Sequence, residues 1–311
     1  MSFYRSFLFL LFFALLAFEG TASAKSASFD TILFKPATDN NLYAGIYGAD
    51  SLNQWQYTFG LYTDISANSL KAFTGAGVST GNIISYNLVG NFYGSVGLLP
   101  FLSTGLNLPV AFLESFNDPT TGANSKEFES GDLGLNFKLK ALDHERFPVG
   151  IAIVPFVTFP TGSDTHFTGS GKITGGFLAV IDSPRLFDRL SLSLNTGVLA
   201  RSEATVVSST NIGTQFLYGL GANLAVLSPL DLLVELRGSS SNFFKKAPQS
   251  PLEIEPMVRY YFPRLNLAFT AGGGTGIIEG VGAPEWRVLA GVSYLIARPF
   301  GEKSRDNEQE N

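Results

Sequence analysis

The chain has 311 residues, a formal net charge of −5 and no cysteine. The missing cysteines exclude disulfides, thiolate metal centres and a cysteine nucleophile, and no long basic run invites nucleic acid. Charged residues make up only 15%, below the usual quarter, while glycine (33) and phenylalanine (28) are abundant, a composition that suits strands and turns better than helices.

Residues 1–24 read as a cleavable export signal. Arg5 gives the positive start, Phe7 to Phe18 the apolar core, and Ala22-Ser23-Ala24 the cleavage site. The apolar run is about a dozen residues, short of the ~20 a spanning helix needs. Residues 25–53 follow no period. They contain Pro36, a turn-like Asp39-Asn40-Asn41 and a candidate short strand at Leu42 to Tyr47. Three placements stay open for them: along a lumen, as a plug, or on the periplasmic side.

From residue 54 the apolar segments alternate. In Gly131 to Lys140, Leu133, Leu135, Phe137 and Leu139 fall on one face; Asp132, Gly134, Asn136, Lys138 and Lys140 fall on the other. Asp231 to Gly238 and Gln54 to Asp64 repeat the pattern. A period of two is a strand with unlike faces. About twelve strands are predicted, over 54–66, 83–98, 101–112, 130–141, 148–159, 171–182, 188–200, 211–226, 230–239, 252–262, 265–274 and 285–297. Their connections alternate strictly. Short ones (Leu99-Pro100, 142–147, 183–187, Ser228-Pro229, Pro263-Arg264) trade places with long polar ones (67–82, 113–129, 160–170, 201–210, 240–251, 275–284). Short periplasmic turns, longer external loops and ten-residue alternating segments are the signature of a transmembrane β-barrel. The predicted fold is all-β: an antiparallel up-and-down barrel over 54–297, ending in a charged periplasmic tail, 298–311.

In lipid the apolar face points outward. Trp55, Phe59, Phe92, Phe137, Phe177, Phe216, Leu232, Val234 and Trp286 are placed there. The opposite face lines the lumen. Its predicted ionic lining is Asp64, Asp132, Lys138, Lys140, Lys172, Glu235, Arg237, Glu253, Glu255, Arg259, Glu285 and Arg287. Asn87, Asn91, Asn107, Gln215 and Asn223 join it, and Gly219 and Gly221 leave room on one strand. These charges can set ion selectivity, with Lys138, Lys140 and Lys172 favouring anions, or pair with one another and fill the interior. Both alternatives stand at this point.

Two passages carry a family resemblance. Ile153 to Gly162, IVPFVTFPTG, resembles the strand and PTG of the outer-membrane barrels grouped as phenol-degradation-pathway transporters. Gly272 to Tyr294, GGGTGIIEGVGAPEWRVLAGVSY, resembles the closing strands of the N-terminal barrel of outer-membrane protein A family proteins. The peptidoglycan-binding domain usual in that second family has no counterpart in this sequence. The resemblance implies a membrane-spanning barrel that passes small solutes; it implies no particular substrate.

Other chemistry finds little support. His144 stands in a periplasmic turn beside Asp143 and Glu145 and reads as solvated. His166, with Ser163 and Asp164, offers the one trio suited to general-base work. Gly272 to Gly276 lacks the spacing and the strand-to-helix context of a phosphate loop. No metal-ligand spacing and no cofactor motif appears. The expected function is a non-enzymatic, passive channel for small solutes in the outer membrane of a Gram-negative cell, with membrane lipids and solutes as partners. A non-conducting structural or surface-interaction barrel is the alternative.

Overall fold

The structure, a computed structural model, describes residues 28–39, 42–73, 79–117, 124–144, 146–206, 210–241, 243–244 and 249–294. The export-signal and C-terminal-tail assignments lie outside these residues. The strands are β1 (Tyr57–Phe73), β2 (Ser79–Leu99), β3 (Leu102–Asn117), β4 (Asn124–Ser130), β5 (Leu133–Leu142), β6 (Gly150–Phe159), β7 (Thr174–Asp182) and β8 (Leu190–Ala200). There follow β9 (Ala204–Val206), β10 (Thr210–Ile212), β11 (Gln215–Leu227), β12 (Leu230–Ser240), β13 (Leu252–Phe262), β14 (Leu267–Ile278) and β15 (Trp286–Tyr294).

Each wall strand pairs antiparallel with its sequence neighbour. β1 also pairs with β15, from Phe59↔Tyr294 to Ala67↔Trp286, and that seam closes the ring. β4 and β5 both lie on β3, as upper and lower lengths of one strand interrupted at Gly131-Asp132. The wall is therefore a closed 12-strand antiparallel barrel. Closure leaves no free edge, so the backbone polar groups of the wall are satisfied within the protein.

The burial pattern is inside-out relative to a water-soluble sheet. Along β13, Glu253, Glu255, Met257, Arg259 and Tyr261 are buried while Pro256, Val258, Tyr260 and Phe262 are exposed. On β12, Glu235 is 0% exposed and its neighbour Val234 is 42%. Only an apolar solvent outside and a polar interior make that arrangement favourable. Aromatic side chains collect near both rims. At the short-turn end Tyr294 stacks on Phe59 and Tyr57, with centroids 5.3 and 5.9 Å apart. Toward the opposite end, Tyr86 meets Trp286 at 6.4 Å and Phe112 meets Phe128 at 6.1 Å.

Two connections read as long polar loops prove to be mostly strand. β1 and β2 run on to Phe73 and from Ser79, and β3 and β4 run on to Asn117 and from Asn124. Register shifts between Ala67 and Leu70 bend the β1–β2 extension. The bend buries Leu70, Ile83 and Ile84 against Phe29, Val281 and the β9–β10 residues Ala204 and Ile212. Burial of this cluster, rather than local alternation, holds the extension in ladder form. The β9–β10 hairpin, in the connection between β8 and β11, is a further element the sequence did not announce.

Candidate functional site: the lumen and its inserted segment

Residues 28–39 and 42–56 run through the barrel. Near the long-loop end Thr31 donates backbone N–H and hydroxyl to the Phe167 carbonyl at 3.0 and 3.1 Å. Near the short-turn end the Ala49 N–H donates to Asp182 at 2.7 Å, and the Trp55 N–H to the Gly97 carbonyl at 2.7 Å. The described residues of the segment form no strand, so their backbone groups turn to side chains of the wall. Glu235 accepts from the Ala44 and Gly45 N–H groups at 2.5 and 2.9 Å. Asn195 grips both sides of the Tyr47 peptide at 2.8 Å. Asn223 donates to the Leu42 carbonyl at 2.8 Å, and Arg259 to the Tyr43 carbonyl at 3.0 Å.

The predicted ionic lining splits into groups. Arg287 bridges Asp64 at 2.5 Å, Glu253 at 3.4 Å and Glu255 at 3.6 Å. Arg237 reaches Glu255 at 2.5 Å and Glu235 at 3.1 Å. Phe34 of the inserted segment packs edge-on to Tyr62 and lies under the Arg237 guanidinium, 4.9 Å from its ring. Arg259 is fully buried and donates to Tyr62 and Thr270. Lys138 is buried on Asp39 at 2.5 Å and also donates to the Asp50 carbonyl. Asp132 accepts from Gly162 and Ser170 and so anchors the 160–170 connection. Lys140 pairs with Asp143 beside a short turn. Lys172 and Glu285 stand in connections just before β7 and β15; Glu285 accepts from Asn68 at 2.7 Å.

The wall opposite this ionic cluster is apolar. Register aligns Val154, Leu178, Gly197 and Leu217 across β6, β7, β8 and β11, and Phe156, Gly176, Leu199 and Gln215 one step further along. Between that wall and the inserted segment lies a cavity of about 270 Å³. The sequence reading missed the apolar wall and left the segment's placement open among lumen, plug and periplasmic side. The wall did leave a trace, since Gly150 to Phe159 is apolar on both faces (Ala152, Val154 and Phe156 against Ile151, Ile153 and Val157). The segment left only its lack of period.

His144, read as solvated, is instead buried against Asp182, its Nε2 2.7 Å from Oδ1. The turn folds under the barrel end, and the buried carboxylate draws the ring in. At His166, Ser163 Oγ and Glu129 Oε1 both approach the same ring nitrogen, Nδ1, at 3.3 and 2.9 Å. A nucleophile and an orienting carboxylate need opposite nitrogens, so Ser163, His166 and Glu129 are not arranged as a relay. Among the described residues no group of acidic or histidine side chains is placed to hold a metal.

Fold and lumen together define a membrane β-barrel of the outer-membrane type. The family described as "Putative MetA-pathway of phenol degradation" matches residues 44–281, and the chain belongs to that family. Among solved structures it is similar to an outer membrane channel from Pseudomonas putida F1, at 15% identity and a TM-score of 0.61, covering 79% of this chain and 97% of that one. It is also similar to the NanC porin, at 10% identity and a TM-score of 0.51, covering 76% of this chain and 98% of that one. At these identities the likeness is one of fold. No curated protein sequence matches.

Proposed function

We propose that the protein is a passive outer-membrane channel for small solutes, narrowed by its own residues 28–56. The observation that carries this reading is the lumen itself. A closed barrel encloses a lumen that is ionic on one side, and the inserted segment leaves a cavity of about 270 Å³ against the apolar other side. Buried amides support it further. Asn91 has both amide atoms, and Asn87 and Asn107 each a carbonyl oxygen, buried without a protein partner. Such groups are costly unless water reaches them. The likeness in fold to an outer membrane channel and a porin agrees.

A second reading, a non-conducting barrel, rests on the apolar cluster of Phe29, Leu70, Ile83 and Ile84 at the long-loop end and on the paired state of the ionic lining. Planar-bilayer recording separates the two. The intact chain is expected to give small discrete steps, and a variant lacking residues 28–53 larger ones. Silence from inserted, heat-modifiable intact protein, with steps only from the deletion, would establish the closed barrel.

A further inference from the structure

The chain has two histidines, and the fold puts one at each end of the inserted segment, each against a carboxylate. At the long-loop end His166 Nδ1 stands 2.9 Å from Glu129 Oε1, and the next residue, Phe167, accepts from Thr31 of the segment. At the short-turn end His144 Nε2 stands 2.7 Å from Asp182 Oδ1, and the other oxygen of that carboxylate accepts the Ala49 N–H at 2.7 Å. The two pairs differ in burial. The His166 and Glu129 side chains are 24% and 27% exposed, those of His144 and Asp182 only 9% and 2%. A solvated pair holds little. A buried carboxylate deprived of its counter-charge is costly.

Gly150 shows that the short-turn contact is built. A Cβ there would meet Asp182 Oδ1, His144 Nε2 and the Ala49 methyl together, so only glycine lets turn, wall and segment converge. Ala49 itself is buried with Ala152, Val154 and Val180. Asp50 of the segment and Lys138 of β5 act on the Asp182 carboxylate, and Asp182 acts on the Tyr43 phenol. Lys138 is held by Asp39. In the turn, Asp143 pairs with Lys140 and Arg146 is exposed; Glu145 lies outside the described residues. Three carboxylates, Asp39, Asp50 and Asp182, thus face one ammonium, and the charge on His144 decides the balance. Of these residue types only imidazole ordinarily changes charge between about pH 5 and 8.

We propose that His144 and Asp182 form a proton-dependent clasp that fastens the short-turn end of the inserted segment to the barrel wall. The sign follows from charge. With the imidazole protonated, Asp182 has a cation beside it and holds Ala49. With the imidazole neutral, the carboxylate is left among acids, draws water in, and releases turn and segment. Acid closes the clasp and alkali loosens it. The clasp rests on where the segment lies, not on whether the lumen conducts.

Thiol labelling tests it, since the chain has no cysteine of its own. Ala49→Cys in the full chain, folded in lipid nanodiscs, is reacted with a water-soluble methanethiosulfonate at about pH 5.5 and about pH 8.5. Each rate is divided by that of Asn53→Cys, exposed on the same stretch, which removes the thiol's own response to pH. The corrected rate should rise at least about tenfold at the higher pH. His144→Gln and Asp182→Asn, each added to Ala49→Cys, should abolish that rise; His166→Gln should preserve it. Ser51→Cys serves if Ala49→Cys forms no barrel on a heat-modifiability gel, and either clasp variant serves if the other does not fold. A flat rate in the parent, a rise toward acid, a rise that survives in both clasp variants, or one lost in His166→Gln alone would overturn the proposal. Labelling needs no current. Silence in bilayer recordings therefore leaves the clasp readable, and a flat labelling rate leaves the channel reading standing.

Discussion

Arg287 shows at single-residue scale how the interior is held. Its guanidinium is enclosed by Asp64, Glu253 and Glu255, all nearly inaccessible. Removing one partner of such a group strands the others without water, a cost of about 3–5 kcal/mol. Arg287→Met should therefore lower the temperature at which the folded band is lost on a heat-modifiability gel. Lys140→Ala, at the partly exposed Asp143 pair, should cost under about 1 kcal/mol and leave that temperature unchanged. An equal shift in both would refute the distinction. Gly221 makes a second point. A Cβ there would stand 2.7 Å from the Tyr43 ring, so the glycine exists for close approach of the inserted segment. Gly221→Leu should loosen residues 42–47, read as new protease cleavage within 42–47 and as larger conductance steps. The inward place of Gly219 and Gly221 was legible from alternation; that Ile46 and Tyr43 would occupy the room was not.

At the scale of elements, the strands separate two solvents. Val234 and Glu235 are neighbours in sequence, yet one meets lipid and the other is bonded to the Ala44 and Gly45 backbone. A charge near the lipid midplane costs ~2–4 kcal/mol. Val234→Arg should reduce folded yield in lipid vesicles, whereas Thr158→Arg, facing the cavity, should fold at near wild-type yield. Equal yields would contradict the assignment of faces. Strand positions and faces were readable because period-two alternation is local. The extensions of β1 to β4 were not. Their ladders persist through burial of Leu70, Ile83 and Ile84 against distant residues, and their polar, bulged sequence resembles loop. His144 failed for the same reason, since its partner Asp182 lies 38 positions away.

At the scale of the whole molecule, a twelve-strand ring bounds a lumen too wide for wall side chains alone to fill, and the chain fills part of it with its own residues. The two halves of that lumen differ. The ionic lattice of β12, β13, β15 and β1 grips the segment through Phe34, Ala44 and Gly45, and the apolar wall of β6 to β11 stands back across the cavity. A conducting path would therefore follow the apolar side. Swapping wall residues should alter which solutes pass, and swapping ionic residues should alter how firmly the segment sits. Solute flux into proteoliposomes, measured for a Leu199→Gln variant against Glu235→Gln, checks this. Changed preference in the first and a general rise in flux in the second are expected; the reverse pattern would overturn it.

The sequence by itself determined the fold class, the number of wall strands and the face each presents. All three follow from alternation and connection length, which act between residues a few positions apart. Only the tertiary structure decided how the luminal charges pair, where residues 28–56 run and which part of the lumen stays apolar. Those depend on contacts such as Glu235 with Ala44, 191 positions apart, and no local period encodes a partner that the closed ring alone brings near.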